Sequence, residues 1–483
     1  MRFGSQAHRE FKSPRLRPRS ARSAPHDPST WVPGGSPSTW STRAVTKVTA
    51  GITTSLRGNP VLLTGRGTRA VAVLVVLEVL AALLMAVHSA RDAPVFATGD
   101  EGYHLAYAVS IAEGRGLPVV GQTLVPAEVL AIQDGSYPGP PRRPAGELGF
   151  RGLSYEAFQP PLYYAVAAPF TLLADDWRDK VLVLRGLAVG LIAVALALLL
   201  SLCRLVRPTA PLPLYAVALV PFLLPSMRQQ EVLVSNDVLL VPLALALACA
   251  AWRAGVQRSL PALVAAGVLV GLLLLTKLTA VWAVPVLGFA ALSVLRDRAT
   301  LRRRVPLLLA GVGPVVMLGP WLLQNLSRYG ALTANDLILQ LQAEVSPPSR
   351  PSPLQQSQVV LEVLVQAVLG RRDPYPGWVT VLALVLGSTL LAGAVAVLLR
   401  PSATWPAAVA LALPLPLQVV LLSVLSVQQG TQLLYERYLH PVIPLAVVAT
   451  WLGAAAVHQR LRRGRALEDE QVVEPQLEGP VQR

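Results

Sequence analysis

Long apolar runs dominate this chain and restrict what it can fold into. The first run covers residues 70–90, and about 20 apolar residues are what an α-helix needs to cross a bilayer core roughly 30 Å thick. Nine further runs follow at about 180–203, 211–227, 232–252, 259–275, 278–295, 305–325, 376–399, 403–427 and 438–457. Because backbone polar groups in a bilayer must be paired internally, such runs predict helices. The sequence therefore predicts an all-α polytopic membrane protein with about ten transmembrane helices.

The composition supports this class and argues against two others. Only 14% of the 483 residues are charged and 53% are hydrophobic, whereas soluble proteins carry about 25% charged residues. The net charge of +15 could indicate nucleic-acid binding, but the basic residues lie in short clusters between apolar runs, as in cytoplasmic loops of membrane proteins. The two cysteines, Cys203 and Cys249, form neither a disulfide framework nor a metal motif. We expect neither a soluble enzyme nor a nucleic-acid partner.

Basic residues also predict the topology. With the N-terminus in the cytoplasm, the basic clusters at 296–304 and 460–465 fall on the cytoplasmic side, as the positive-inside rule requires. This alternation holds only if residues 160–174 do not span the membrane. That segment has about 15 residues and begins with two prolines, so it is short for a crossing. We predict an outer-face juxtamembrane or re-entrant helix there, ten spans, and both termini in the cytoplasm.

The chain divides into a transmembrane domain with two terminal segments. Residues 1–68 are rich in Arg, Ser, Pro and Gly and predict a disordered basic cytoplasmic tail, which could alternatively touch anionic lipid headgroups or be upstream sequence from a misassigned start codon. Residues 69–458 form the predicted transmembrane domain, with large outer loops at 91–179 and 326–375. Residues 459–483 predict a polar cytoplasmic tail.

Ionisable residues near the spans gather at the predicted outer surface. Such residues are costly in a membrane and usually functional, and they are Asp100, Glu101, Arg185, Asp237, Lys277, Arg437 and His440. Glu78, in the middle of the first span, is the exception and has no assigned role. A coupled transporter should instead place its polar site near the bilayer midplane. The pattern favours chemistry on a substrate with its head at the outer interface and its tail in lipid.

The most informative local sequence is Thr98-Gly99-Asp100-Glu101-Gly102-Tyr103-His104. Asp100 adds an acid beside a membrane-embedded bundle, where a carboxylate could deprotonate an acceptor hydroxyl as a general base. Glu101 fits a capping box with Thr98, and this interpretation is compatible with a role in catalysis. The plainer interpretation of His104, a polar residue at headgroup level, is preferred.

Four further motifs carry polar residues, and each has a structural alternative. The segment Tyr155-Glu156-Ala157-Phe158-Gln159-Pro160-Pro161-Leu162-Tyr163-Tyr164 alone predicts a structured outer-face turn, because consecutive prolines fix a helix start. Asn236-Asp237 could cap a helix. Lys277 is either a snorkelling anchor or a phosphate ligand, and Arg437 either pairs with Glu436 or binds phosphate through its planar fork.

Together and in this order, these motifs resemble those of the C-type membrane glycosyltransferases. The resemblance is to the branch with protein O-mannosyltransferases and aminoarabinose transferases, and it covers roughly residues 70–457. The resemblance rests on five motifs: the Asp-Glu pair after the first span, Pro-Pro-Leu-Tyr-Tyr, Asn-Asp, Thr-Lys and Arg-Tyr-x-x-Pro. Where the family often has His before the two prolines, this chain has Gln159.

The resemblance implies an inverting transfer of a sugar from a polyprenyl-phosphate carrier to a protein, lipid or glycan acceptor, outside the cytoplasmic membrane. Asp100 would be the base and Glu101 would orient the acceptor or the base. Lys277 and Arg437 would stabilise the departing phosphate. His104, Gln159, Tyr163, Asn236 and Asp237 are expected to line the substrate cavity.

No cofactor is expected, because the first outer loop has no His/Cys cluster or Asp-x-Asp pair and therefore predicts no obligatory metal. The absence of a Gly-rich phosphate loop argues against a nucleotide-sugar donor. Two other functions remain open from the sequence: a transporter or flippase of lipid-linked intermediates, and a non-catalytic membrane scaffold.

Overall fold

A computed structural model describes residues 66–96, 100–135, 152–206, 213–295, 304–343, 352–369, 405–429 and 435–454, with short helical pieces between 381 and 393. The described helices belong to one unit, Gly58–Arg483. The predicted tails at 1–68 and 459–483 lie almost wholly or wholly outside the described residues, as do Thr98, the basic residues 460–465 and most of the basic cluster 296–304. The domain boundaries therefore stay predictions.

The first half of the described chain contains eight helices. They are α1 Arg66–Asp92, α2 Glu101–Ala112, α3 Ala127–Gln133, α4 Leu162–Thr171, α5 Trp177–Val206, α6 Pro213–Leu223, α7 Pro225–Gln230 and α8 Asp237–Gln257. A 3-10 turn, Tyr155–Phe158, precedes α4. No β-strand occurs among the described residues, where the extended pairing is limited to an isolated bridge between Leu124 and Leu153.

The second half is also helical. Its helices are α9 Leu260–Thr276, α10 Ala283–Leu295, α11 Arg304–Tyr329, α12 Asn335–Ala343, α13 Pro353–Leu369, α14 Trp405–Ala412, α15 Pro414–Gln429 and α16 Ile443–Ala454. Two further 3-10 turns, Leu278–Trp282 and Glu436–Tyr438, precede α10 and α16.

Among the described residues, five helical segments are long and apolar enough to cross a membrane. They are Arg69–Asp92, Trp177–Val206, Asp237–Gln257, Leu278–Leu295 and Val305–Tyr329, and four shorter apolar helices are Leu214–Leu223, Leu260–Thr276, Pro414–Gln429 and Ile443–Ala454. Each of these nine segments overlaps a different one of the ten predicted spans. Most of the predicted span at 376–399 lies outside the described residues. The predicted all-helical, polytopic fold is confirmed, and the count of ten stays a prediction.

The spanning helices divide into central and peripheral ones. The apolar window of α8 is 83% buried, whereas that of α1 is 22% buried and that of α11 is 11% buried. Apolar side chains left exposed on peripheral helices are what a lipid solvent accommodates. Helices α9 and α11 approach closely at Gly267, where a Cβ would overlap the carbonyl oxygen of Ala310. Small residues at such crossings are typical of membrane helix packing.

A buried layer of short helices supports the acidic segment. Tyr103 and Tyr107 of α2, Tyr164 of α4 and Leu184 of α5 belong to one buried hydrophobic cluster, in which the rings of Tyr107 and Tyr164 stack. Helix α4 has ten residues and is too short to cross a bilayer, which agrees with the prediction that residues 160–174 do not form a full span; the outer-face position of this helix stays a prediction. This layer fixes the start of α2, where Asp100 lies.

Candidate active site

Asp100 and Arg437 form the accessible ion pair of the site. Asp100 precedes α2, and its carbonyl oxygen accepts hydrogen bonds from the backbone N–H groups of Tyr103 and His104 at 3.0 and 3.1 Å. Its side chain does not cap the helix. One carboxylate oxygen is instead 2.7 Å from Arg437 Nη1, and the other accepts a hydrogen bond from the Tyr155 hydroxyl. Asp100 and Arg437 remain 27% and 23% exposed.

Lys277 and Asp237 form a second, more deeply buried pair beside the first. Lys277 Nζ is 2.6 Å from Asp237 Oδ1, and both side chains are 5% exposed. Arg437 Nε lies 3.7 Å from Asp237 Oδ2, which joins the two pairs into one cluster. The ring of Tyr438 lies under Lys277 Nζ, 4.3 Å from its centroid, where a cation is attracted to the ring face.

Local structure explains how these four charged groups meet. The amide of Asn236 donates a hydrogen bond to the carbonyl oxygen of Thr276 at 3.2 Å, which ties the start of α8 to the end of α9. Lys277 then follows α9 in extended backbone. Every member of the cluster therefore lies where a helix begins or ends, outside the apolar helix interiors.

The charges within the cluster compensate one another. Burial by itself raises the pKa of Asp100, but the positive charge of Arg437 and the hydrogen bond from Tyr155 outweigh it, so the pKa falls to about 2. Asp100 is therefore ionised at neutral pH and available to accept a proton. Two carboxylates and two cations give the cluster no net charge, so an incoming anion must compete with a carboxylate for a cation.

Glu101 has a different environment from its neighbour Asp100. Its carboxylate is fully buried and accepts hydrogen bonds from Arg185 Nε at 2.9 Å, Arg185 Nη2 at 2.8 Å and the Val234 backbone N–H at 3.0 Å. Arg185 also donates to the carbonyl oxygens of Ala90, Ala93 and Pro94. We call this set of hydrogen bonds around Glu101 and Arg185 the clasp. It joins α5 to the end of α1 and the segment that follows, which favours a structural role for Glu101 over contact with the acceptor.

His104 and Gln159 belong to an aromatic layer behind Asp100. His104 Nδ1 is 2.9 Å from the Tyr164 hydroxyl, and the rings of Tyr164 and Tyr107 stack with centroids 3.7 Å apart. The Tyr107 hydroxyl donates to the Gln159 carbonyl oxygen at 3.3 Å. Burial, together with the charges of Lys277 and Arg437, lowers the pKa of His104 to about 3. His104 is thus a neutral residue buried inside the protein.

Tyr163 is 1% exposed and lies edge-on to Tyr164, with centroids 5.4 Å apart. Asn236 is fully buried and does not cap α8 with its side chain. The structure therefore places Asp100, Asp237, Lys277 and Arg437 in one cluster. It places His104, Gln159, Tyr163 and Asn236 in the buried layer around that cluster, and Glu101 in the separate clasp.

Three features of the site were not predicted from the sequence. Tyr155, which the sequence places only in a turn, donates a hydrogen bond to Asp100. The sequence places Arg185 near the outer end of a predicted span but does not identify Glu101 as its partner. His440 is fully buried, with Nδ1 2.8 Å from Glu231 and Nε2 2.8 Å from the Ser226 hydroxyl. Because an unpaired buried charge is costly, the sequence predicts that Arg185 has a carboxylate partner. It does not identify which carboxylate this is.

This Ser226–His440–Glu231 chain links α7 to the segment that carries Arg437, three residues before His440. Across the described ranges, no group of three or more His, Cys, Asp or Glu side chains is arranged to hold a metal ion.

The fold and the site define a multi-pass, all-helical membrane protein with an acid–cation cluster at its helix ends. Residues 158–323, about a third of the chain, match the family model described as dolichyl-phosphate-mannose-protein mannosyltransferase. Over this segment, the match agrees with the resemblance to the C-type membrane glycosyltransferases. The matched segment contains Asp237 and Lys277, whereas Asp100 and Arg437 lie outside it.

A solved structure is also similar to this chain. It is ArnT from Cupriavidus metallidurans bound to undecaprenyl phosphate, with 16% sequence identity and a TM-score of 0.49. The similarity covers 78% of this chain and 59% of that chain, so this chain spans about three fifths of the matched protein's length. No curated protein matches the sequence.

Proposed function

We propose that the protein transfers a sugar from a polyprenyl-phosphate-linked donor to an acceptor at the outer face of the cytoplasmic membrane. The observation that carries this proposal is the cluster in which Asp100 meets Arg437 at 2.7 Å and Asp237 meets Lys277 at 2.6 Å. A base beside two cations is what the transfer requires, because one group must take a proton while a phosphate departs. The family match over residues 158–323 supports the same reaction class.

The exposure of the two ion pairs suggests how the phosphate engages. The Asp100–Arg437 pair is about a quarter exposed, whereas the Lys277–Asp237 pair is almost buried. A phosphate group can therefore compete with Asp100 for Arg437, whose planar fork suits phosphate oxygens. As Arg437 turns to the phosphate, Asp100 loses the charge that lowers its pKa and becomes a better base. Donor binding thus prepares the base.

The transfer is a single displacement with inversion at the anomeric carbon. The acceptor hydroxyl loses its proton to Asp100, and its oxygen forms the bond to the anomeric carbon. The bond between that carbon and the phosphate oxygen breaks, and its electron pair stays on the phosphate. Lys277 and Arg437 stabilise the charge that develops there, and fixed electrostatic groups of this kind commonly give the largest catalytic contribution.

The orientation belongs to the same proposal. Both termini, including the segments 1–68 and 459–483, are proposed to be cytoplasmic because the basic residues favour that side. The acceptor is a protein, a lipid or a glycan. The alternative of a flippase is less well supported, because the charged cluster lies at helix ends and not in the helix interiors where a transport path would run.

The test compares Asp100→Asn with Asp92→Asn. Asp92 is an exposed acid, 62% accessible and paired with His88 at 2.9 Å, so it is a matched control outside the site. Each variant is expressed in cells that lack the gene, and envelope glycans, glycolipids and glycoproteins are compared by mass spectrometry. We expect Asp92→Asn to restore the sugar that the deletion removes and Asp100→Asn to be inserted normally without restoring it. Full restoration by Asp100→Asn would contradict the proposal.

A further inference from the structure

Among the described residues, Glu156 has no Lys or Arg partner, unlike the three other acids at the start of α2 and α8. Asp100, Glu101 and Asp237 each have an Arg or Lys nitrogen within 2.8 Å. Among the residues that the structure describes, no Lys or Arg nitrogen lies within ion-pair distance of Glu156. His104 Nε2 lies 3.9 Å from Glu156 Oε1, which is too far for a hydrogen bond.

The position of Glu156 suggests a ligand. Its side chain is 6% exposed, and its Oε2 atom is buried without a hydrogen-bond partner in the described part of the chain. Buried polar atoms are normally paired, so an unpaired oxygen beside a reactive cluster suggests that a substrate pairs with it. The preceding residue, Tyr155, donates to Asp100, so one short turn places both side chains at the site.

The surroundings keep Glu156 neutral. Burial and then the negative charge of Asp100 raise its pKa to about 8, despite the opposing charges of Lys277 and Arg437. His104 cannot compensate a charge on Glu156 at neutral pH, because its own pKa is about 3. The titratable groups that act on or lie beside Glu156 are Asp100, His104, Tyr107, Tyr155, Tyr164, Asp237, Lys277 and Arg437.

We propose that Glu156 is a further catalytic residue, a protonated acid that donates a hydrogen bond from its carboxyl group to an oxygen of the donor phosphate. This inference rests on the proposed function. The charges of the four groups in the cluster sum to zero, so the two carboxylates already offset the two cations. An uncharged hydrogen-bond donor would therefore add to the stabilisation of the phosphate that the cations provide. A carboxylic acid kept neutral by its environment is an effective donor of this kind.

The hydrogen bond leaves the proton balance of the transfer unchanged. The acceptor's proton goes to Asp100, the electron pair of the broken bond stays on the phosphate oxygen, and Glu156 keeps its proton throughout. Glu156 must therefore be protonated when the phosphate binds. An ionised Glu156 would repel the phosphate, so binding should weaken as the pH rises through about 8.

The experiment measures binding of undecaprenyl phosphate to the purified full-length protein across neutral and alkaline pH. Glu156→Gln keeps an N–H donor and the size of the side chain but cannot ionise. Glu113→Gln is the matched control, since Glu113 is 48% exposed and pairs with Arg115 at 2.8 Å. We expect the wild type and Glu113→Gln to lose affinity above about pH 8, and Glu156→Gln to keep its neutral-pH affinity throughout. The second ionisation of the phosphate, near pH 6, affects all three proteins alike.

Glu156→Ala removes the donor, and we expect sugar transfer to fall about 100- to 1,000-fold, as for other donors to a developing oxyanion. If this variant does not fold, the Glu156→Gln comparison decides the question, because that change is nearly isosteric. Binding by Glu156→Gln with the same alkaline loss as the wild type would overturn the inference and leave the proposed function standing. Wild-type protein that binds no undecaprenyl phosphate at any pH would overturn both.

Discussion

Neutralising Glu101 should mainly lower the stability of the protein, whereas neutralising its neighbour Asp100 should mainly abolish sugar transfer. Glu101→Gln removes the negative charge from a carboxylate that is fully buried and hydrogen-bonded twice by Arg185. Arg185 is 1% exposed, so its charge stays buried without a counter-charge. Removing one partner of a buried ion pair costs roughly 3–5 kcal/mol. We expect about 3 kcal/mol here, because Arg185 keeps its bonds to three backbone carbonyl oxygens.

Asp100→Asn should cost far less stability. The Asp100–Arg437 pair is about a quarter exposed, and ion pairs accessible to water contribute at most about 1 kcal/mol. The assay follows unfolding of both purified variants in the same detergent and measures sugar transfer at equal concentrations of folded protein. We expect Glu101→Gln to be the less stable variant with residual transfer, and Asp100→Asn to be near wild-type stability without transfer.

A second change tests the reason for this difference. Arg185→Gln combined with Glu101→Gln removes both charges, and the pair of amides should be more stable than Glu101→Gln alone, because no uncompensated charge remains. The reasoning would be refuted if Glu101→Gln kept wild-type stability and lost transfer. Glu101 would then act in the chemistry, as the sequence resemblance implies.

Three other changes follow from the same geometry. Lys277→Gln should lower the free energy of unfolding by about 3 kcal/mol because it leaves Asp237 buried with a weaker counter-charge, and adding Asp237→Asn should recover part of this loss in a denaturation assay. The pKa of Asp100 is lowered from 3.8 to about 2, so ionised Asp100 contributes its full stabilisation above about pH 4 and loses it as the pH falls through 2. The stability of Asp100→Asn should therefore fall less than that of the wild type over this pH range, which acid unfolding of the two proteins would show. His440→Ala should break the bonds to Ser226 and Glu231 and loosen the segment that carries Arg437, which would weaken binding of undecaprenyl phosphate more than Ser226→Ala does.

The helices were predictable because the membrane imposes a length and a polarity on each of them. The apolar run at about 180–203 corresponds to Trp177–Val206, and the run at about 259–275 corresponds to Leu260–Thr276. The short helix Leu162–Thr171 was predictable for the same reason, since its length and the prolines before it exclude a full crossing. These inferences need only local sequence, which is why they succeed without knowledge of how the helices pack.

The pairing of the charged groups was not predictable in this way. Asp100 and Arg437 are 337 positions apart, and Glu101 and Arg185 are 84 apart. The sequence shows that each charge near a span needs a partner, because an isolated buried charge is too costly. Several carboxylates and cations share the predicted outer surface, however, and only the packing of the helices that carry them decides which ones meet.

Asp100 and Glu101 show why adjacent residues of the same type diverge. Successive residues in an α-helix are rotated by about 100°, so two neighbouring acids at a helix start cannot both face one site. That geometry predicts two environments but does not assign them. The assignment depends on α5, which brings Arg185 against Glu101, and on the segment before α16, which brings Arg437 against Asp100. The environment of Glu156 is equally unpredictable from sequence, because the lack of a nearby Lys or Arg among the described residues is visible only once the surrounding side chains are placed.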